Sequence, residues 1–145
     1  MNRRVIAVAV GGMTIAAASL GTAFALPSHP STTSGALKFV AVETVTRDFK
    51  GHFVSSDKDV AGGHIIGTDS LQCNVASDNK SASCDVAASY KRGQIYGVFT
   101  LNLKDGSLVG QVTGGTRLYK DATGTIKGHS VGNNKESVSI TYQTP

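Results

Sequence analysis

The sequence predicts an all-β fold, either a sandwich or a closed barrel of seven or eight short antiparallel strands. Three observations lead there. Gly, Ser, Thr and Val dominate once the first residues are set aside, and 17 glycines punctuate the chain. Apolar residues alternate with polar ones in short runs, and polar turn signals separate those runs. A sustained helical period is missing after the N-terminal segment. Closing the sheet into a barrel would remove the exposed edges that invite aggregation.

Residues 1–25 read as a secretory signal peptide. Arg3 and Arg4 supply the positive start, Val5 to Leu20 an apolar stretch, and Ala23-Phe24-Ala25 the small residues that a signal peptidase needs. The competing reading is an uncleaved membrane anchor. Leu, Ile and Phe are scarce there, and Gly11, Gly12, Thr14, Ser19 and Thr22 interrupt the run, which favours cleavage after Ala25. The twin-arginine context is absent, and no Cys stands where a lipoprotein needs one. The expected product is secreted, with no membrane association once the signal is gone. Losing Arg3 and Arg4 lowers the net charge from +4 to +2. So weak a basic balance, with its lysines dispersed, leaves no footprint for nucleic acid.

Residues 26–36, beginning Leu-Pro-Ser-His-Pro, form a flexible lead-in with nothing to bury. The barrel domain is expected over 37–145. Its strands are read as Leu37–Thr46, His64–Ala76, Ala82–Tyr90, Gln94–Leu103, Ser107–Thr113, Thr123–Val131 and Glu136–Tyr142, with a shorter one near Gly51–Ser55. Arg92-Gly93, Asp105-Gly106 and Asn133-Asn134 mark turns.

Cys73 and Cys84 are the only cysteines, and export makes pairing the default. A hairpin folded about Asp78 and Asn79 sets Cys73 directly across from Cys84, at a spacing that a disulfide accepts. Asn79-Lys80-Ser81 at that tip is formally a glycosylation acceptor, although a turn selects Asn and Ser on its own account.

Alternation assigns the faces. Ile65, Gly67, Asp69, Leu71, Cys73 and Val75 share one side of their strand. Val86, Ala88 and Tyr90 join Cys84. Ile95, Phe99, Leu101 and Leu103 follow, then Leu108 and Val112, and at the end Glu136, Val138, Ile140 and Tyr142. Asp69 is the misfit on this inward face. Either it bonds backbone amides at a bulge near Gly67-Thr68, or it is an acid or base of raised pKa in a ligand cavity. Glu43 shares its parity with Phe39, Ala41 and Val45, but Val40 and Val42 leave the facing of that strand open. Tyr90, Tyr96, Tyr119 and Tyr142 are candidates to line a cavity. His52, His64 and His129 lack ligand spacing, so no metal site is expected, and no Ser-His-Asp set can be assembled.

Val112 to Gly128 contains the glycine pattern V-T-G-G-T-R-L-Y-K-D-A-T-G. A phosphate loop would need Lys followed by Ser or Thr opening a helix, whereas Lys127 precedes Gly128 and His129. Together with Gly67-Thr68-Asp69-Ser70-Leu71-Gln72-Cys73, this stretch resembles the paired motifs of the allene oxide cyclase-like barrels, whose turn the plant dirigent proteins share. Resemblance spans roughly Phe53 to Tyr142. It implies an eight-stranded antiparallel barrel in which Gly-Gly-Thr is a tight connection, its glycines permitting positive φ and a helical turn setting Tyr119 against the barrel end. Arg117 stands where that family usually has Gly. A left-handed backbone there would cost about 1 kcal/mol, or Arg117 is a cation at the barrel mouth. The resemblance further implies a mostly apolar cavity without a cofactor, and homotrimers as in the plant relatives.

Three functions follow as expectations. The first is a secreted barrel binding a small apolar or aromatic molecule against Ile95, Phe99, Leu101, Val138 and Tyr142, with Asp69 as polar anchor. The second is a cofactor-free isomerase or cyclase with Asp69 or Glu43 as acid/base. The third is a structural or interaction protein whose barrel is filled.

Overall fold

The computed structural model describes residues 32–145. The signal-peptide reading and most of the lead-in lie outside the described residues. Eight strands follow in chain order: β1 (Thr33–Phe49), β2 (His52–Ala61), β3 (His64–Val75), β4 (Ser81–Tyr90), β5 (Gly93–Asn102), β6 (Leu108–Gly115), β7 (Thr123–Ser130) and β8 (Lys135–Thr144). Each pairs antiparallel with its sequence neighbours, and β1 pairs with β8 to close the barrel. Closure settles the choice between sandwich and barrel, and among the described residues every strand has a paired neighbour on both sides.

Two strands differ from the sequence reading. β1 begins at Thr33 and takes four residues from the expected lead-in, pairing Thr33 with Thr144 and Ala36 with Thr141. β2 is a full strand of 10 residues rather than a short one near Gly51–Ser55. Its inward positions, Ser55, Asp57 and Asp59, are polar and yet buried. The hydrophobic alternation that marks a strand is therefore missing from β2.

The predicted hairpin is present. Cys73 and Cys84 face each other across β3 and β4 and are joined, with their Cα atoms 4.0 Å apart. Asn79 takes φ 55° at the tip, and Asp78 Oδ1 accepts a hydrogen bond from the Lys80 N–H at 3.0 Å. Closing a loop this short contributes about 3 kcal/mol through the unfolded chain. Replacing both cysteines with Ala is expected to lower stability by about that amount, read as a shift of the urea midpoint. A midpoint unmoved by the double substitution would show that the ladder alone holds this hairpin.

On β3 to β8 the inward faces match the alternation except at two places. Ile65 is 61 % exposed, and its neighbour Ile66 packs on the core instead. The cause is a bulge: Val60 pairs with Ile65 and Asp59 with Gly67, leaving Ile66 as the extra residue and switching the phase of β3. Leu103 is exposed because β5 ends at Asn102, where the turn to β6 begins.

The barrel has one closed end. Between β6 and β7 a single 3-10 turn (Arg117–Tyr119) carries Tyr119 under the lumen, where it is buried. Edge-to-face contacts run from Tyr142 to Tyr119 to Tyr90 to Phe39, with ring centroids 5.1, 6.3 and 6.2 Å apart. This aromatic plug seals the end from which the β2–β3 and β4–β5 turns project. The glycine-rich stretch is thus a connection between neighbouring strands. Its positive φ angles fall on Gly114 (155°) and also on Arg117 (53°) and Asp121 (55°), and Gly115 makes room for the Gln94 and Tyr119 carbonyls that a Cβ would strike.

Candidate functional site

The opposite end is open. A chamber of about 390 Å³ lies under the β7–β8 turn, walled by Ala41, Phe53, Leu71, Phe99 and Leu101 and by the acids Glu43, Asp57 and Glu136. It leads to an interior cavity of about 30 Å³ that shares Ala41, Asp57, Leu71, Phe99 and Glu136 with it and reaches Asp69, Ile95 and Val138. The deeper space admits one or two water-sized molecules. The outer one is large enough for a small organic ligand.

Strand register divides this lumen into two walls. Glu136 on β8, Glu43 on β1, Asp57 and Asp59 on β2 and Asp69 on β3 all belong to one side. In the ladder Glu43 is opposite Asp57, Asp57 is opposite Asp69, and Ala41 lies between Asp59 and Glu136. The inward residues of β4 to β7 are apolar: Val86, Ala88, Ile95, Phe99, Leu101, Leu108, Val112 and Ile126. Carboxyl groups thus face hydrocarbon across the lumen.

Burial governs the chemistry of the acids. Asp59 is fully buried, and Asp57 and Asp69 nearly so. Burial, then the neighbouring Asp59 and Asp57, push the Asp69 pKa up to about 8. Burial raises Asp59 as well, and the proximity of Tyr90 and Asp69 only partly offsets it. Asp57 is raised by burial and by Glu43, against a hydrogen bond that Ser55 Oγ donates to its Oδ1 at 2.8 Å. Glu136 is raised by burial, Asp57 and Glu43. The Tyr90 hydroxyl is held well above its ordinary range by burial and by Asp59. No Lys or Arg is among the charges acting on any of these five groups.

Four buried polar atoms at the foot of the acidic wall lack a hydrogen-bond partner: both carboxyl oxygens of Asp59, Oδ1 of Asp69 and the Tyr90 hydroxyl. Tyr90 and Asp69 are close enough to influence Asp59 yet do not meet it in aligned hydrogen-bond geometry. Gly67 permits this gathering. It sits between Asp59 and Tyr90 in the ladder, and the Tyr90 ring lies across the place where a Cβ would stand, 2.5 Å from Cδ1.

Several sequence expectations meet at this site and others do not. Asp69, Ile95, Phe99 and Val138 line the interior cavity, and Phe99, Leu101 and Glu43 the open chamber. Asp69 does not bond amides at the bulge; its Oδ1 is unpartnered. The ambiguous facing of β1 resolves with Phe39 and Ala41 buried and Glu43 at the chamber wall. Val45 shared that parity but is 55 % exposed, since a register shift between Glu43 and Val45 turns it outward. Tyr142 belongs to the aromatic plug, and Arg117 stands exposed at the closed end, so neither touches the chamber. Tyr96 points outward and donates to Gln94 Oε1 at 2.8 Å. Glu136, which alternation set on the inward face, lines both cavities, and Asp57 and Asp59 are the acids that alternation did not single out. Asp57 and Asp59 keep the parity of Phe53 and Ser55, a usable signal had β2 been read as a strand. Among the described residues no group of His, Cys, Asp and Glu side chains is arranged to hold a metal ion.

No protein-family model matches the chain, and no curated protein matches it in sequence. A solved structure of pyocyanin demethylase is similar in fold, with a TM-score of 0.63 and 19% identity, covering 77% of this chain and 98% of that one. The likeness is one of architecture.

Proposed function

We propose that this chain is a secreted barrel that binds a small, largely apolar molecule through its open end. The observation carrying this reading is the two-walled chamber of about 390 Å³, with Phe53, Phe99 and Leu101 on its sides and Asp57 and Glu136 at its floor. A barrel serving only as a scaffold has no need of such a chamber, although its lower part is packed. Secretion is supported by the disulfide, which belongs to an oxidising compartment, and by the N-terminal pattern. No helix among the described residues is long and apolar enough to cross a membrane. The name of the similarly folded demethylase denotes action on a small molecule, and the allene oxide cyclase-like motifs point to the same kind of lumen.

A titration with N-phenyl-1-naphthylamine, whose fluorescence rises in apolar surroundings, tests the reading. The protein is expected to bind it, and Leu101→Trp, which fills the chamber from a partly exposed position, is expected to weaken binding about tenfold or more, a loss of at least ~1.4 kcal/mol. Circular dichroism would confirm that the variant keeps its fold. Absence of binding to the unaltered protein, or equal binding by the folded variant, overturns the assignment.

A second reading is favoured by Asp69 itself. A carboxyl group with a pKa of about 8, an unpartnered oxygen and a place on the lumen wall is suited to carry a proton between two positions of a bound molecule. That chemistry is a cofactor-free isomerisation or ring closure, with Glu43 at the chamber wall as the other acid/base candidate. Loss of turnover in Asp69→Asn with ligand binding retained would separate it from binding alone.

A further inference from the structure

We propose that the ligand carries a cationic nitrogen on its apolar body, seated between Asp57 and Asp69. This rests on the binding reading above and specifies the class of molecule. Five acids from β8, β1, β2 and β3 share one lumen wall, and the wall opposite is hydrocarbon. Of the residues lining the chamber Lys135 alone is cationic, and it stands exposed at the rim. Asp69 is only 8 % exposed and lines the interior cavity, and its buried Oδ1 has no aligned hydrogen-bond partner. Asp57 borders both cavities and is only half satisfied by Ser55.

Packing requirements do not account for this wall. Hydrophobic residues of similar size would fill the barrel without the penalty of burying carboxyl groups that lack counter-ions. A single neutral acceptor on a ligand would engage one acid and leave the mutual repulsion of the rest in place. A cation lowers the energy of every carboxylate around it in the low-dielectric lumen. It also matches the geometry: a charged head at the acidic wall, a flat apolar body against Phe99 and Leu101.

Seating a cation changes the protonation of its host. Before binding, Asp69 holds its proton; the groups acting on it are Asp57 and Asp59 of β2 and Glu136 of β8, all of the same sign, while Tyr90 of β4 stays neutral. Glu43 of β1 acts on Asp57 and Glu136 in turn. An ammonium beside Asp69 favours the carboxylate, so the carboxyl proton leaves for solvent as the ion pair forms. Binding therefore strengthens as pH rises toward about 8 and levels off above it.

Calorimetry with three probes of one shape tests this: 1-naphthylmethylammonium, 1-naphthalenemethanol and 1-naphthylacetate. At pH 7 the ammonium is expected to bind about tenfold or more tightly than the alcohol, and the acetate more weakly than either. Titrations in two buffers of different ionisation enthalpy should show about one proton released with the ammonium and none with the alcohol. The double variant Asp57→Asn/Asp69→Asn should bind alcohol and ammonium alike and release no proton. Equal affinities in the unaltered protein, preference for the acetate, or binding of the ammonium without proton release overturns the proposal while the chamber reading stands. Failure of all three probes to bind overturns both.

Discussion

Asp69→Asn is expected to stabilise the protein at pH 7 by about 4 kcal/mol and to flatten its stability between pH 4 and pH 8. The sign follows from linkage. In the unfolded chain Asp69 gives up its proton near the ordinary carboxyl pKa, whereas in the barrel it holds the proton to about pH 8. Across that window the folded state binds more protons than the unfolded state, so unfolding becomes easier as pH rises, by about 1.4 kcal/mol per unit. Below the unfolded pKa the penalty is absent, and above about 8 it stays constant. Asp57, Asp59 and Glu136 are displaced in the same direction, so the unaltered protein should be more stable at pH 5 than at pH 8. That order reverses the usual acid denaturation of proteins with paired carboxylates. Asparagine keeps the shape and removes the ionisation. Urea unfolding at pH 4 to 9 supplies the test. A variant less stable than its parent at pH 7, or a parent whose stability climbs with pH, would mean that the acidic wall is ionised and otherwise compensated.

Legibility in the sequence tracked how far each strand obeys hydrophobic alternation. β4, β5, β6 and β8 turn apolar or small residues inward at alternate positions (Ala82, Cys84 and Ala88; Ile95 and Phe99; Leu108 and Val112; Val138, Ile140 and Tyr142), and their inward faces were readable from period alone. The disulfide was readable because a polar turn fixes the hairpin and the hairpin fixes which residues are opposite. β2 failed for a physical reason: its inward residues Ser55, Asp57 and Asp59 imitate a solvent-facing turn, and only closure of the barrel buries them. The same failure hid Asp57 and Asp59, two of the five acids of the wall, while Asp69 was conspicuous because Leu71 and Cys73 follow it on the same face of β3. The bulge at Ile66 was illegible because one extra residue exchanges two adjacent isoleucines, and composition cannot tell them apart. The candidate site lies where local preference and fold disagree.

Gly124→Ala is expected to cost about 4 kcal/mol, at the upper end for a single added methyl group. Gly124 opens β7 and lies opposite Tyr142 of β8, where the two backbones approach across the ladder. A Cβ there would collide with the Thr141 carbonyl oxygen and stand 2.8 Å from Tyr142 Cα and 2.9 Å from the Thr141 carbonyl carbon. All three atoms are backbone, so no rotamer change relieves the contact. The strands must part, and the movement pulls Tyr142 away from Tyr119 in the plug. The consequence extends beyond stability, since the plug closes the end of the lumen beneath the acidic wall. Amide hydrogen exchange should show protection lost in β7, β8 and the Arg117–Tyr119 turn before it is lost in the disulfide-linked β3–β4 hairpin. Gly51 supplies the contrast: nothing lies within 4 Å of its Cβ position, and Ala there meets only the strain of φ +80°. A Gly124→Ala protein as stable as its parent, or a Gly51→Ala protein equally damaged, would show that close approach of β7 and β8 is not what selects glycine at position 124.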